Sequence, residues 1–280
     1  MQIGNYKIYS IISSHFGLDG GAMFGVVPKT LWSKTNPSDE LNRIEMVTRN
    51  MLLIGEGKKI LIDTGNSQKM NDKLKDIYKL KFIPHNLLSS LTALDIKPYE
   101  ITDVILTHLH FDHTGGSTYL ENGELKLTFP NATYYLQKGH WEYAFQPTER
   151  DRASFIKEDF LPIYEKKQLT LIEGNIELFP NIHTLVVNGH TPYQQIIKVT
   201  DGDNTILFCA DLIPMASHIP LPYIMGYDLK PLETLEEKRR ILKTAQQEKW
   251  ILFFEHDPYT VACTVKLTEK GYVQDTILNI

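Results

Sequence analysis

The stretch Thr107–Gly116, "THLHFDHTGG", places His108, His110, Asp112 and His113 within six consecutive positions of a chain that has 10 histidines in 280 residues. Composition alone does not crowd imidazoles this way, and clustered His and Asp side chains point to a metal site before a solvated loop. In extended backbone, residues i and i+2 face the same side. His108 and His110 can therefore offer two imidazoles to one ion, while Leu109 turns into the core. Asp112 and His113 are adjacent and need a bend to take part, which Thr114-Gly115-Gly116 is expected to supply. Such a bend aims them at a second point nearby, so the spacing predicts two metal sites rather than one.

Two ions need further ligands, and three candidates end apolar runs elsewhere. His190 lies in "NGHTP", Asp211 ends "TILFCAD" and His256 ends "ILFFEH". A lone His at a strand end is usually a satisfied core or surface residue. Beside the 107–116 cluster, three such positions complete a ligand set, and sites are commonly built on loops at strand ends. The mixture of imidazole and carboxylate suits Zn²⁺ and related ions such as Mn, Co or Fe.

Strand-like runs frame these positions: "YKIYSIIS" (6–13), "EMVTRNMLLIG" (45–55), "KKILIDTG" (58–65), "DVILTH" (103–108), "ATYYLQ" (132–137), "QQIIKVT" (194–200) and "ILFFEH" (251–256). Helices are expected over 68–80, 85–94, 137–146, 150–166 and 232–250, the last amphipathic with a solvated charged face. No Pro/Gly/Ser-rich linker or repeat divides the chain. Strands alternate with helices in both halves, which predicts one α/β domain over 1–280, a four-layer αββα sandwich of two mixed sheets with helices outside.

The composition is that of an ordinary globular protein, 42% hydrophobic and 22% charged, with a net charge of −5. No basic run exceeds "EEKRR" (236–240), so neither nucleic acid nor an anionic membrane is an expected partner. Two cysteines, Cys209 and Cys263, are too few for a disulfide framework, and Cys209 reads as a buried structural thiol. The N-terminal segment lacks leader features and no apolar run reaches membrane-spanning length, so a cytoplasmic location is expected.

"HLHFDH" resembles the HxHxDH signature of the metallo-β-lactamase-fold hydrolases. "LIDTG" (61–65), "GHTP", "CAD" and "FEHD" are similar to the other motifs of that superfamily, in order, so the resemblance spans residues from about 45 to 258. It implies that His108, His110 and His190 bind one metal, that Asp112, His113 and His256 bind a second, and that Asp211 bridges them. It also implies that Asp63 orients a ligand imidazole or loop by hydrogen bonding. Two divalent ions per chain would lower the pKa of a shared water enough to give a bridging hydroxide, with Asp112 as the proton shuttle. Metal-dependent hydrolysis of a carboxylic ester or lactone is the expected chemistry.

Within the superfamily, the chain is most similar to the quorum-quenching N-acyl-homoserine lactonases. "LDGGAMFGVVPKTLW" (18–32) and "ADLIPMASHIPLPYIMGYD" (210–228) carry that likeness. Gly17, Gly20, Gly21 and Gly25 let the 17–34 segment fold tightly, and its apolar side chains suit a lid over an acyl or aryl group. A covered sheet edge or a homodimer contact is the competing use of those side chains. Met23, Phe24, Trp32, His218 and Tyr223 are the candidate substrate contacts. One departure matters: better-known lactonases hold the lactone carbonyl with a Tyr shortly after the bridging Asp, whereas Asp211 is followed by Leu212, Ile213, Pro214 and Met215. His218, Tyr223 or Tyr227 would have to replace it. An organophosphate or aryl ester hydrolase of the same branch is the alternative within the chemistry; a metal-binding protein without turnover is the alternative outside it.

Overall fold

The computed structural model describes residues 1–280. The chain divides into two compact units, one of Met1–His15 with Thr48–Gly174, the other of Phe16–Val47 with Asn175–Ile280.

β1 (Gln2–Ile3) and β2 (Tyr6–Asp19) open a seven-stranded sheet. After α1 (Gly20–Phe24) and α2 (Lys29–Trp32), the sheet continues with β3 (Arg43–Gly55) and β4 (Lys58–Ile62). β3 and β4 pair antiparallel through a two-residue turn at Glu56-Gly57, whose φ values of 50° and 72° match the twist of the strands. α3 (Asp72–Ile77) and α4 (Leu87–Thr92) follow, shorter than the expected 68–80 and 85–94 because side-chain caps define their starts. Asn71 accepts from Leu74 N–H, and Asn86 forms a capping box with Ser89. β5 (Asp103–Ile105) pairs parallel with β4, and α5 (Phe111–Thr114) begins six residues after β5 ends.

A two-stranded hairpin, β6 (Thr118–Glu121) and β7 (Glu124–Leu127), stands outside the sheet and was not anticipated. Its turn, Asn122-Gly123 at φ 53° and 84°, is the Asn-Gly pair with two positive φ values that a tight two-residue hairpin favours. β8 (Thr133–Gln137), α6 (Lys138–Ala144), α7 (Lys157–Glu165) and β9 (Leu169–Ile172) complete the first unit. The expected helix over 150–166 is confined to α7, with a single 3₁₀ turn at Arg152–Ser154 before it. The sheet order is β1-β2-β3-β4-β5-β8-β9. Leu52, Leu61, Val104, Leu106 and Leu136 are fully buried with Leu91 and Phe160 in one apolar cluster. Each such side chain contributes roughly 1.5–3 kcal/mol of transfer free energy.

The second sheet runs in chain order: β10 (Glu177–Phe179), β11 (Ile182–Val187), β12 (Gln194–Thr200), β13 (Thr205–Phe208), β14 (Ile251–Phe253), β15 (Ala262–Thr268) and β16 (Gly271–Leu278). Only the β13–β14 pair is parallel, and its crossover is α8 (Pro231–Gln247). Pro231 sits in the first turn of α8, where its missing N–H is harmless. The expected solvated charged face is present, with Glu236, Arg239, Arg240 and Lys243 exposed, but two charged residues lie on the other side: Glu237 and Lys238 are buried together with Ile241, Leu242 and Ala245. No helix is long and apolar enough to cross a membrane.

Two further expectations change. The bend in 107–116 falls at Phe111, where α5 starts with His110 at its N-cap, and not at the glycines. Gly115 has an ordinary helical φ of −56°. It is needed for space, since a Cβ there would lie 2.3 Å from Ser67 N, and one on Gly116 would lie 2.2 Å from Thr64 O. The 17–34 segment is no open loop: Asp19 caps α1 through Ala22 N–H, and Met23, Phe24 and Trp32 are buried.

Candidate metal centre

In the first unit, the parallel strand ends of β4 and β5 carry the side chains. Asp63 follows β4 with a left-handed φ of 56°, a conformation that Asp tolerates better than most residues. Its N–H donates to Ile105 O at 3.0 Å, which locks the two strand ends together. Its carboxylate accepts from Thr107 N–H (2.7 Å), Thr107 Oγ1–H (2.6 Å) and His113 Nδ1 (3.1 Å). Because Thr107 Oγ1 gives its hydrogen to Asp63, the contact of 3.0 Å to His108 Nδ1 makes His108 the donor there. His108 and His113 thus carry their protons on Nδ1 and turn the Nε2 lone pairs outward, the orientation a metal ligand requires.

His108 Nε2 and His110 Nδ1 stand 3.1 Å apart. Ligand atoms about 2.0–2.1 Å from one ion are separated by roughly 2.9–3.4 Å, so this spacing fits two edges of one coordination shell. Asp112 Oδ1 lies 3.8 Å from His113 Nε2 on α5, facing a second position. His108 and His113 are fully buried, and His110 and Asp112 are 7% exposed. The loop is held from behind by His140, whose Nε2 accepts Leu109 N–H at 2.8 Å. Lys69 donates to Gly115 O and Thr118 O and pairs with Asp159 at 2.9 Å. Burial pushes the Asp159 carboxyl up to about 6, and the Lys69 ammonium works against that shift.

In the second unit, three separate segments converge. His190 Nε2 lies 3.1 Å from Asp211 Oδ2, and His256 Nε2 lies 3.0 Å from Asp211 Oδ1. Each carboxylate oxygen therefore has its own imidazole partner. Both rings are turned by acceptors on their other nitrogen: His190 Nδ1 donates to Asp228 Oδ1 (2.9 Å) and His256 Nδ1 to Val47 O (3.0 Å). Phe16 packs edge-on to His256 at 5.6 Å. Asp211 sits in a 3₁₀ turn entered through Ala210 at φ 44°, a strained conformation for a residue with a Cβ and one that clusters at functional positions. Glu237 accepts Asn188 and Gly189 N–H at 2.7 and 3.1 Å, fixing the loop before His190. Cys209 is buried and its thiol is pushed up by burial, which suits an inert core residue.

The candidate substrate contacts lie together in this unit. His218 is 1% exposed, donates from Nε2 to Met23 O at 2.8 Å, and stacks on Phe24 at 4.6 Å. Burial holds its imidazole down to about 3, so it is neutral. Phe24 also stacks on Trp32 at 5.4 Å and meets Tyr223 edge-on at 6.1 Å. Gly226 N–H donates to Ala22 O at 2.7 Å. The 18–32 and 210–228 stretches therefore form one packed element. Tyr227 is 40% exposed. Four supporting residues escaped the sequence: Thr107, His140, Asp228 and Glu237. Thr107 adjoins the cluster and was readable from adjacency, whereas the other three are set by tertiary contacts with no spacing signal.

The model of the metallo-beta-lactamase superfamily matches residues 46–256. The chain belongs to this superfamily; it is a metal-dependent hydrolase with a His/Asp metal-binding cluster, and the αββα sandwich expected from the sequence is its fold. Among curated proteins, it is 28% identical to an N-acyl homoserine lactonase of Bacillus thuringiensis over 219 residues, covering 74% of this chain and 79% of the relative. A structure described as a probable metal-dependent hydrolase from Staphylococcus aureus superposes with a TM-score of 0.88 at 27% identity, covering both chains completely. AidC, a dizinc quorum-quenching lactonase, superposes with a TM-score of 0.82 at 19% identity, covering 100% of this chain and 97% of AidC, and shares the fold.

Proposed function

We propose that the two ligand sets complete one dinuclear centre in a single functional domain, and that the enzyme opens the ring of N-acyl-homoserine lactones. The observation that carries the dinuclear reading is Asp211, whose two oxygens each face a different imidazole at 3.1 and 3.0 Å. A carboxylate so placed is suited to bridge two ions, with His108, His110 and His190 on one and Asp112, His113 and His256 on the other. The lactone assignment is supported by the Bacillus thuringiensis relative. Zinc is the ion best matched by this imidazole-rich donor set, with Mn, Co or Fe as substitutes.

When bound, the two ions supply Lewis acidity and a water acidified to near-neutral pKa. The residues do the rest. Asp63, Thr107, Asp228 and the Val47 carbonyl keep four imidazoles in the tautomer that exposes Nε2. Asp112 takes a proton from the attacking water on its carboxylate and returns it to the leaving alkoxide oxygen. Tyr223, half-buried against the packed Phe24, supplies apolar surface for an acyl or aryl group.

The test is a substrate panel on enzyme loaded in turn with Zn, Mn and Co: short- and long-chain homoserine lactones, a plain γ-lactone, an aryl ester and a phosphotriester. Lactones should give the highest kcat/KM, with two ions per chain by elemental analysis. A triester kcat/KM above that of every lactone would replace the lactonase reading, and one ion per chain would remove the dinuclear one. No turnover of any ester would leave a metal-binding protein.

A further inference from the structure

Helix α8 serves two loops from one buried face. Glu237 holds the Asn188-Gly189 backbone. The next residue, Lys238, is 1% exposed, and its ammonium donates to Pro220 O (3.0 Å), Leu221 O (3.4 Å) and Tyr223 O (2.6 Å). Three carbonyl oxygens match the three hydrogens of an ammonium group. Burial pushes the Lys238 ammonium down to about 7, and the Asp228 carboxylate acts to keep its charge. The three carbonyls act in the same direction as Asp228, since a carbonyl can only accept. A helix face built for packing alone would carry an aliphatic side chain here, because a buried charge is unfavourable unless it is matched by fixed partners.

What the ammonium clips is the wall of a cavity. Pro220 and Tyr223, with Leu31, Ser217 and Tyr259, line a space of about 510 Å³ in the second unit. Tyr223 also meets Phe24, which stacks on His218. We infer that Lys238 is a positioning residue for substrate binding: by holding the carbonyls of Pro220, Leu221 and Tyr223 it fixes the Pro220–Tyr223 wall of the cavity, and so sets how the apolar arm of the substrate is accepted. The inference rests on the hydrolase reading above and deepens it. Lys238 bonds to none of the proposed metal ligands, so its loss acts on KM and leaves the metal in place.

The experiment compares Lys238→Met, which keeps the volume, with Lys238→Ala, which opens space for an added amine. Wild type is first assayed on lactones and on an aryl ester, so that an enzyme active only on the ester retires the lactone assignment while the Lys238 test continues on that ester. Turnover of neither removes both readings. In the variants, metal content per chain should be unchanged, kcat should stay within about twofold, and KM should rise about tenfold, most for the longest acyl chain. Ethylammonium, but not propanol, should lower the KM of Lys238→Ala. A uniform fall in kcat with KM unchanged, or equal rescue by the alcohol, overturns the inference. Should neither variant fold, hydrogen exchange on wild type with and without the hydrolysis product decides it. Residues 216–228 should gain protection on binding, and unchanged exchange there is the overturning result.

Discussion

The first unit gathers four candidate ligands from one uninterrupted stretch, His108 to His113, whereas the second gathers three from positions 190, 211 and 256. In the first, covalent spacing does much of the aiming. Extended backbone aligns His108 with His110, and the helical turn from Phe111 redirects Asp112 and His113. In the second, nothing along the chain relates one ligand to the next. Each ring is turned by a remote acceptor, Asp228 for His190 and the Val47 carbonyl for His256. A contiguous motif carries its geometry with it, while a dispersed one borrows geometry from the fold.

The largest effects should come from the contiguous set. His110→Ala should strip metal and activity together, with kcat/KM down at least about a thousandfold, because the Lewis acid itself is lost. Asp112→Asn should keep most of the metal and still lose turnover by about a hundredfold or more, as expected for a removed proton carrier. Elemental analysis beside kinetics separates the two variants. Full activity in Asp112→Asn would remove that residue from the proton path, and metal retained in His110→Ala would dissolve the distinction between them.

A middle-sized effect probes the dispersed set. Asp228→Ala removes the acceptor at 2.9 Å that fixes His190 Nδ1, without touching a proposed ligand atom. Metal affinity should fall about 10- to 100-fold, measured by competition with a chelator. Asp63→Ala should do the same in the first unit, because one carboxylate there holds both Thr107 and His113. If Asp63→Ala is harmless while Asp228→Ala is not, covalent spacing suffices for the contiguous set. Equal losses would mean that both sets depend on their supports.

The same contrast explains how much was legible beforehand. HLHFDH could be recognised because its chemistry is written at fixed spacing, and His190, Asp211 and His256 because each ends an apolar strand. The bend was misplaced onto Gly115-Gly116 because glycine signals both flexibility and close approach, and here the need is space beside Ser67 and Thr64. The burial of Lys238 off the solvated charged face of α8 was not legible, because periodicity cannot tell a solvated lysine from one whose ammonium meets three carbonyls. Asp228 and His140 had no local signature, since their partners lie 38 and 31 residues away.

The smallest effect at neutral pH, and the one most sensitive to conditions, concerns the packed element formed by 18–32 and 210–228. His218 is neutral and buried, with its pKa lowered from 6.5 to about 3 by burial. The unfolded chain therefore binds a proton at this residue between roughly pH 6.5 and 3 while the folded chain does not, so its contribution to stability is present above that window and is lost as pH falls through it. His218→Gln removes the titrating group. At pH 7.5 the variant should be less stable by about 1 kcal/mol, the value of a typical hydrogen bond such as that to Met23 O. As pH falls from 6.5 to 4.5, wild type should lose stability faster than the variant by about 1.4 kcal/mol per pH unit, so the gap should close and then reverse. Urea melts at several pH values measure this directly. Parallel curves for the two proteins would mean that His218 takes up its proton without leaving its place between Phe24 and Met23, and that this element is as tolerant of acid as the chain around it.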